Sequence, residues 1–220
     1  MLSVNEIFYS IQGEGCYAGF PAIFVRLAGC NLKCEYCDTI YTLERTMSIE
    51  AILNRIEPLL ARNKYQIPLN IIVFTGGEPT LQISKVVELM DTIKTKYELS
   101  GDCFIEFHLE TNGTFDDVEY LLEHFNYIAF SPKKESDAER ISKILSNSEV
   151  LYDADIKVVT DGNGLNSKLI PFATMLMPLS TFDPLRDNII RKKVWEYCKL
   201  LRKMYSPRLQ CDLFGKMRGV

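Results

Sequence analysis

The sequence predicts an α/β fold: a barrel or partial barrel of parallel strands with helices packed on it. Two observations carry this reading. Apolar, strand-forming runs alternate with segments of helical period along most of the chain, the pattern that builds a parallel sheet covered by helices. The strands also end in polar or glycine-rich turns, as in barrels whose active sites form at the carboxyl ends of their strands. The 220 residues, 47% hydrophobic and 25% charged, suit one domain over residues 1–220 with a sizeable core.

The elements follow in order. Pro21–Ala28 is apolar and rich in strand formers, and leads into a cysteine loop. From Ser48 to about Asn63 the residues Ile49, Ile52, Leu53, Ile56, Leu59 and Leu60 share one helical face, with Ser48 as the cap. Asn70–Phe74 is a short buried strand ending at Thr75-Gly76-Gly77-Glu78-Pro79, and a helix follows from Ile83 to Tyr97. Cys103–Leu109 is the next strand, running into Glu110-Thr111-Asn112-Gly113, with a helix over Asp116–His124. Tyr127–Phe130 runs into Ser131-Pro132-Lys133, and Asp137–Leu145 is helical. Ile156–Val159 and Thr174–Met177 are strands, and a long helix spans Pro184–Met204. Six strands of this kind would bring the cysteine loop, the Gly-Gly turn, the Glu-Thr-Asn-Gly turn and the Ser-Pro-Lys turn to one rim.

Composition narrows the function classes. A net charge of −4 argues against a non-specific nucleic-acid surface. No stretch approaches eighteen apolar residues, so no membrane span is expected. Seven cysteines and no basic, apolar leader suggest a reducing, cytoplasmic setting.

Cys30, Cys34 and Cys37 form a Cys-x3-Cys-x2-Cys run within one short loop. Three thiolates can each hold one iron of a cubic cluster and leave the fourth without a protein ligand, open for chemistry. Buried structural cysteines are disfavoured by the Asn, Lys, Glu and Asp residues interleaved with them. Structural zinc is the stronger alternative and needs a fourth ligand. Cys16, Cys103, Cys198, Cys211, His108 and His124 are all distant in sequence and form no second Cys-x-x-Cys.

With Gly76-Gly77-Glu78-Pro79 at a strand end, the cysteine run resembles the radical S-adenosylmethionine superfamily. Ser10-Ile11-Gln12-Gly13-Glu14-Gly15, the run Phe24 to Leu32, Cys37-Asp38-Thr39 and Ser131-Pro132-Lys133 narrow it further. Together they resemble the family of 7-carboxy-7-deazaguanine synthases, from about Asn5 to Lys157 and again at the C-terminus. The resemblance implies a partial (β/α)6 TIM-like barrel of the radical SAM type, with helices reduced in places.

It also implies residue roles. Cys30, Cys34 and Cys37 would hold a [4Fe-4S] cluster, and Thr39 would ligate Mg²⁺. S-Adenosylmethionine would contact Tyr36, Gly76, Gly77, Glu78, Glu110, Asn112, Ser131, Pro132 and Lys133. Gly76 and Gly77 would let backbone approach its methionyl end, and Glu78 would accept from its ammonium. A pterin acid, 6-carboxy-5,6,7,8-tetrahydropterin, would lie among Ile11, Gln12, Gly13, Glu14, Arg26, Thr75 and the Val220 carboxylate, with Arg26 pairing its carboxylate. The cofactor carries the chemistry, so no side chain is assigned as catalytic. The product would be 7-carboxy-7-deazaguanine, with loss of ammonia. The resemblance further implies a homodimer and an external, flavodoxin-like electron donor.

Read from the residues alone, several of these positions have plainer explanations. Gly76–Pro79 could be a strand-to-helix connection, Arg26 an exposed strand residue, Asp38-Thr39 a helix cap and Ser131–Lys133 a surface turn. Two other functions share the cysteine signal: a glycyl-radical activase acting on a protein partner, and a non-catalytic zinc scaffold.

Overall fold

A computed structural model describes residues 1–35, 37, 45–61, 69–98, 103–147 and 152–220. Its strands are β1 (Leu2–Ile11), β2 (Pro21–Leu27), β3 (Arg45–Met47), β4 (Leu69–Gly76), β5 (Phe104–Thr111), β6 (Tyr127–Phe130), β7 (Ala154–Thr160), β8 (Met175–Pro178) and β9 (Met204–Tyr205). They form one sheet in the order β3-β1-β2-β4-β5-β6-β7-β8-β9. From β2 to β9 every neighbour is parallel, while β1 runs antiparallel to β2 and β3. Six parallel strands, β2 and β4 to β8, therefore stand in chain order, and among the described residues β3 and β9 are the two edges of the sheet.

The helices are α1 (Ile49–Ile56), α2 (Ile83–Ile93), α3 (Val118–His124), α4 (Glu135–Asn147), α5 (Pro184–Leu201) and α6 (Leu209–Phe214). Ser48 caps α1, its hydroxyl accepting from Ala51 N–H at 3.1 Å. Between β7 and β8 there is only a 3-10 segment, Ser167–Phe172, so the helical layer is thin there. The helix expected to reach Met204 stops at Leu201, where Arg202 takes φ +54 and Met204–Tyr205 joins the sheet edge. No helix among the described residues is long and apolar enough to cross a membrane.

Alternation along each strand separates two environments. Ile23, Val25, Leu27, Ile72, Phe74, Phe107, Leu109, Ile128, Ile156, Val158 and Leu176 face the helices, meeting Ile52, Ile56, Val86, Leu89, Ile93, Leu121, Ile141 and Val194 in one buried cluster. At about 25 cal/mol per Å² this layer is the principal source of stability. The opposite face begins apolar, with Ala22, Phe24, Ile71 and Val73 packed against Phe8 and Tyr17. Towards the carboxyl ends it turns polar: Arg26, Thr75, Glu110 and Lys157 all line a cavity there.

β1 was not expected as a strand. Its buried positions, Leu2 and Val4, are few, and residues 5–11 are half-buried or exposed, so no clean period marks it. It nonetheless pairs with β2 through most of its length.

Candidate active site

The turns after β2, β4, β5 and β6 converge on a cavity of about 550 Å³ at the carboxyl ends of the strands. Cys30, Cys34 and Cys37 line it, with Ile11, Gln12, Gly13, Glu14, Arg26, Thr75, Gly76, Gly77, Glu110, Asn112, Ser131, Lys133 and Val220. Glu78 and Pro132 lie buried behind its wall. Tyr36 and Thr39 lie outside the described residues. A larger, open groove of about 700 Å³ lies along α3 and α4, but it gathers no cysteine. Its Arg140 is already engaged with the carbonyls of Gly113, Phe115 and Asp116.

The cysteine loop is fixed by its neighbours. Asn31 donates through Nδ2 to the Thr114 hydroxyl at 2.8 Å and accepts from Asn112 Nδ2 at 2.9 Å. Gly77 N–H donates to Leu27 C=O at 3.2 Å and Glu78 N–H to Gly29 C=O at 2.9 Å. The two glycines are needed for this contact. A Cβ on Gly76, whose φ is +133, would stand 2.1 Å from the Leu27 carbonyl oxygen. A Cβ on Gly77 would stand 1.8 Å from that of Gly29. Their lack of side chains lets β4 seat the start of the cysteine loop, a reason independent of any ligand.

Glu78 was expected to accept from an ammonium. Its fully buried carboxylate accepts from Thr80 N–H (3.0 Å), the Thr80 hydroxyl (2.6 Å), the Thr111 hydroxyl (2.7 Å) and Asn112 N–H (2.7 Å). It clamps the β4 turn to the β5 turn and has no face on the cavity. Asn112, expected at the nucleoside end, pins Asn31. Gly13, expected over the substrate, lies against the tail: a Cβ there would meet Gln210 Oε1 at 1.8 Å, and Leu209 N–H donates to its carbonyl at 3.0 Å.

One wall of the cavity is ionic. Glu14 accepts from Lys157 Nζ at 2.5 Å, Arg208 Nε at 3.3 Å and Gln210 Nε2 at 2.8 Å. Burial would raise its pKa, but the Lys157 ammonium and the Arg208 guanidinium overcome this and hold it at about 2. Burial likewise opposes the charge of Lys157, and Glu14 with Glu110 more than restores it, raising its pKa. Glu110 was expected with the nucleoside. It accepts from Thr75 Oγ1 at 2.8 Å and Gln12 Nε2 at 3.2 Å, and stands 3.9 Å from Lys157. It thus shares hydrogen bonds with Gln12 and Thr75, two residues expected around the substrate. Arg26 donates through Nε to Glu6 at 2.8 Å, and among the described residues no carboxylate meets the edge formed by its two terminal amino groups.

Sequence reading passed over Lys157, Arg208 and Glu6. The signal for Lys157 was present: a lysine in the middle of the buried run Ile156–Val159 has to pair with something. Arg208 and Gln210 meet Glu14 across more than 190 positions of chain, which no local pattern reports.

The donor set fits an iron–sulfur cluster. None of the three is in a disulfide, and all three share one loop and line one cavity. Among the described residues no three Cys, His, Asp or Glu side chains gather closely enough for a single ion. A tetrahedral zinc site needs its donors around one point, whereas a cubane takes one thiolate at each of several irons. Burial raises the Cys34 thiol pKa, and the nearby Lys133 ammonium counters it.

The chain matches the family model of the radical SAM superfamily over residues 25–164. It is 31% identical to the 7-carboxy-7-deazaguanine synthase of Pyrobaculum aerophilum, over 98% of this chain and 96% of that protein. It is 37% identical to the 7-carboxy-7-deazaguanine synthase of Neisseria meningitidis serogroup B, over 74% of this chain. That match spans 65% of the Neisseria protein, and similar matches to the enzymes of Rickettsia prowazekii and Bacteroides thetaiotaomicron span 44% and 62% of theirs. The fold is like that of QueE from Escherichia coli, with a TM-score of 0.54 at 22% identity over 93% of this chain and 92% of that one. The chain belongs to the radical SAM superfamily and, within it, to the family of the 7-carboxy-7-deazaguanine synthases.

Proposed function

We propose that this protein converts 6-carboxy-5,6,7,8-tetrahydropterin to 7-carboxy-7-deazaguanine with loss of ammonia. The observation that carries the reading is one cavity with two unlike walls: three cysteines of one loop on one side and the Glu14–Lys157–Glu110 array on the other. Cys30, Cys34 and Cys37 would hold a [4Fe-4S] cluster, with S-adenosylmethionine against Gly76, Gly77, Ser131 and Lys133. When bound, the cluster and S-adenosylmethionine supply a hydrogen-abstracting organic radical.

The protein's part is placement and charge. Arg26 presents the outer edge of its guanidinium to the substrate carboxylate. Glu14, ionised at any working pH, and Glu110 offer fixed acceptors for pterin N–H groups, with Gln12 and Thr75 holding Glu110 in place. Lys157 keeps two carboxylates in one wall compatible with burial. Val220 lines the same cavity and would lie beside the pterin. Mg²⁺ at Thr39, a flavodoxin-like electron donor, a homodimer and a cytoplasmic setting complete the reading. Exposed Leu185, Ile189 and Leu200 on α5 offer the apolar surface a dimer would cover.

The test is anaerobic reconstitution with iron and sulfide, then turnover with dithionite, S-adenosylmethionine and 6-carboxytetrahydropterin, read by mass spectrometry. The expected result is 7-carboxy-7-deazaguanine, absent with Cys34→Ala. Consumption of S-adenosylmethionine without that product would reject the substrate.

A further inference from the structure

We propose that Glu6 is a positioning residue with two linked tasks: it aims Arg26 into the cavity and fastens the C-terminal segment across the cavity mouth. The first task rests on the anionic substrate proposed above, and the second does not.

The register of β1 on β2 shifts between Val4 and Glu6. An irregularity of this kind re-aims side chains beside functional sites. Here it puts Glu6 on the cavity wall, where Oε1 accepts from Arg26 Nε at 2.8 Å and lies 3.5 Å from Arg218 Nη2. Arg218 Nη2 also donates to Asn5 Oδ1 at 2.6 Å. Gly219, at φ +69, passes so near that a Cβ on it would stand 4.0 Å from Glu6 Oε2.

The segment is also held at the opposite rim. Lys216 Nζ stands 4.9 Å from the centre of the Phe182 ring. Phe182 has φ +63, a left-handed backbone that a bulky residue adopts only when its surroundings impose it. The buried carboxylate of Asp187 imposes it, accepting from Thr181 N–H (2.7 Å), the Thr181 hydroxyl (2.6 Å) and Phe182 N–H (3.1 Å). Residues 215–220 all line the cavity and are fastened on both sides of it, as a strap.

Each of these contacts is weak alone, because Glu6, Arg26 and Arg218 are all partly exposed. What matters is that one carboxylate oxygen serves an arginine inside the cavity and an arginine on the strap. An anion bound to the outer edge of Arg26 and the closure of the strap must then influence each other, and reciprocally.

The test is hydrogen exchange of the C-terminal peptide in the reconstituted protein, with and without 6-carboxypterin, an unreactive aromatic analogue. Without ligand, Glu6→Gln and Arg218→Gln should each speed exchange of residues 216–220 about two- to fivefold, and the double variant no more than Arg218→Gln alone. Unchanged exchange of β2 and β4 peptides establishes that the variants are folded. Glu6→Gln should also weaken 6-carboxypterin binding more than binding of pterin lacking the carboxylate. Exchange in Glu6→Gln equal to wild type, or additive effects of the two substitutions, would overturn the strap. Equal losses for both pterins would overturn the aiming of Arg26. If the unsubstituted protein fails to bind 6-carboxypterin, the substrate reading and the aiming fall together, while the ligand-free exchange still decides the strap.

Discussion

Glu78, fully buried, and Glu14, largely buried, are carboxylates beside one cavity, and the protein satisfies them in opposite ways. Glu78 takes four hydrogen bonds from hydroxyls and backbone N–H groups and faces no cavity. Glu14 takes its partners from Lys157, Arg208 and Gln210 and lines the cavity. The first pattern ties two turns into a fixed floor under the cysteine loop. The second keeps a charged wall whose groups can also meet a ligand. Neutral donors serve where rigidity alone is needed, and paired charges where a site has to be polar and dry.

Substitutions can break this contrast at either end. The largest expected effect comes from Lys157→Met, which leaves the Arg208 guanidinium at 3.3 Å as the one ion pair of Glu14 among the described residues. A loss of about 3–5 kcal/mol is expected from denaturant midpoints, with part of it recovered by adding Glu14→Gln. Glu78→Ala should cost on the order of 3 kcal/mol, since it strands two hydroxyls and two N–H groups. It should also lower iron content, because the turns that seat the cysteine loop lose their clamp.

The acid limb of stability sharpens the same contrast. Glu14 is depressed from an ordinary 4.5 to about 2. A depressed carboxylate stabilises the fold fully above about pH 4.5 and loses that contribution as pH falls towards 2. The fall corresponds to roughly 3 kcal/mol. A pH series of unfolding midpoints should show this limb, and Glu14→Gln should flatten it. Gly77→Ala is expected to cost about 1–3 kcal/mol, because its Cβ meets the backbone of Gly29 rather than a flexible side chain. The smallest effect belongs to Lys199→Ala, which removes an exposed pair with Glu196 and should shift stability by less than about 0.5 kcal/mol.

Much of the layout was legible because it is local. Six parallel strands announced themselves through runs such as Asn70–Phe74, and the turns after them through Gly76-Gly77 and Ser131-Pro132. Edge strands were not legible: β1 alternates weakly, and β9 is two residues that read as the end of a helix. In the site, the residue types were legible but not their partners. Glu78 looks like a ligand residue in sequence, and only the fold brings Thr111 and Asn112 onto it, more than thirty positions away. The wall around Glu14 depends on chain separated by 143 and 194 positions. Such pairings follow from topology, which periodicity does not encode.

The central claim is that the three cysteines hold a cluster with one iron open to the cavity. The most direct measurement is iron and zinc content with electron paramagnetic resonance of the anaerobically reconstituted, reduced protein, before and after S-adenosylmethionine. The account predicts about four irons per chain and a [4Fe-4S] signal whose shape changes on adding S-adenosylmethionine. Stoichiometric zinc without iron, or a cluster signal indifferent to S-adenosylmethionine, would contradict it.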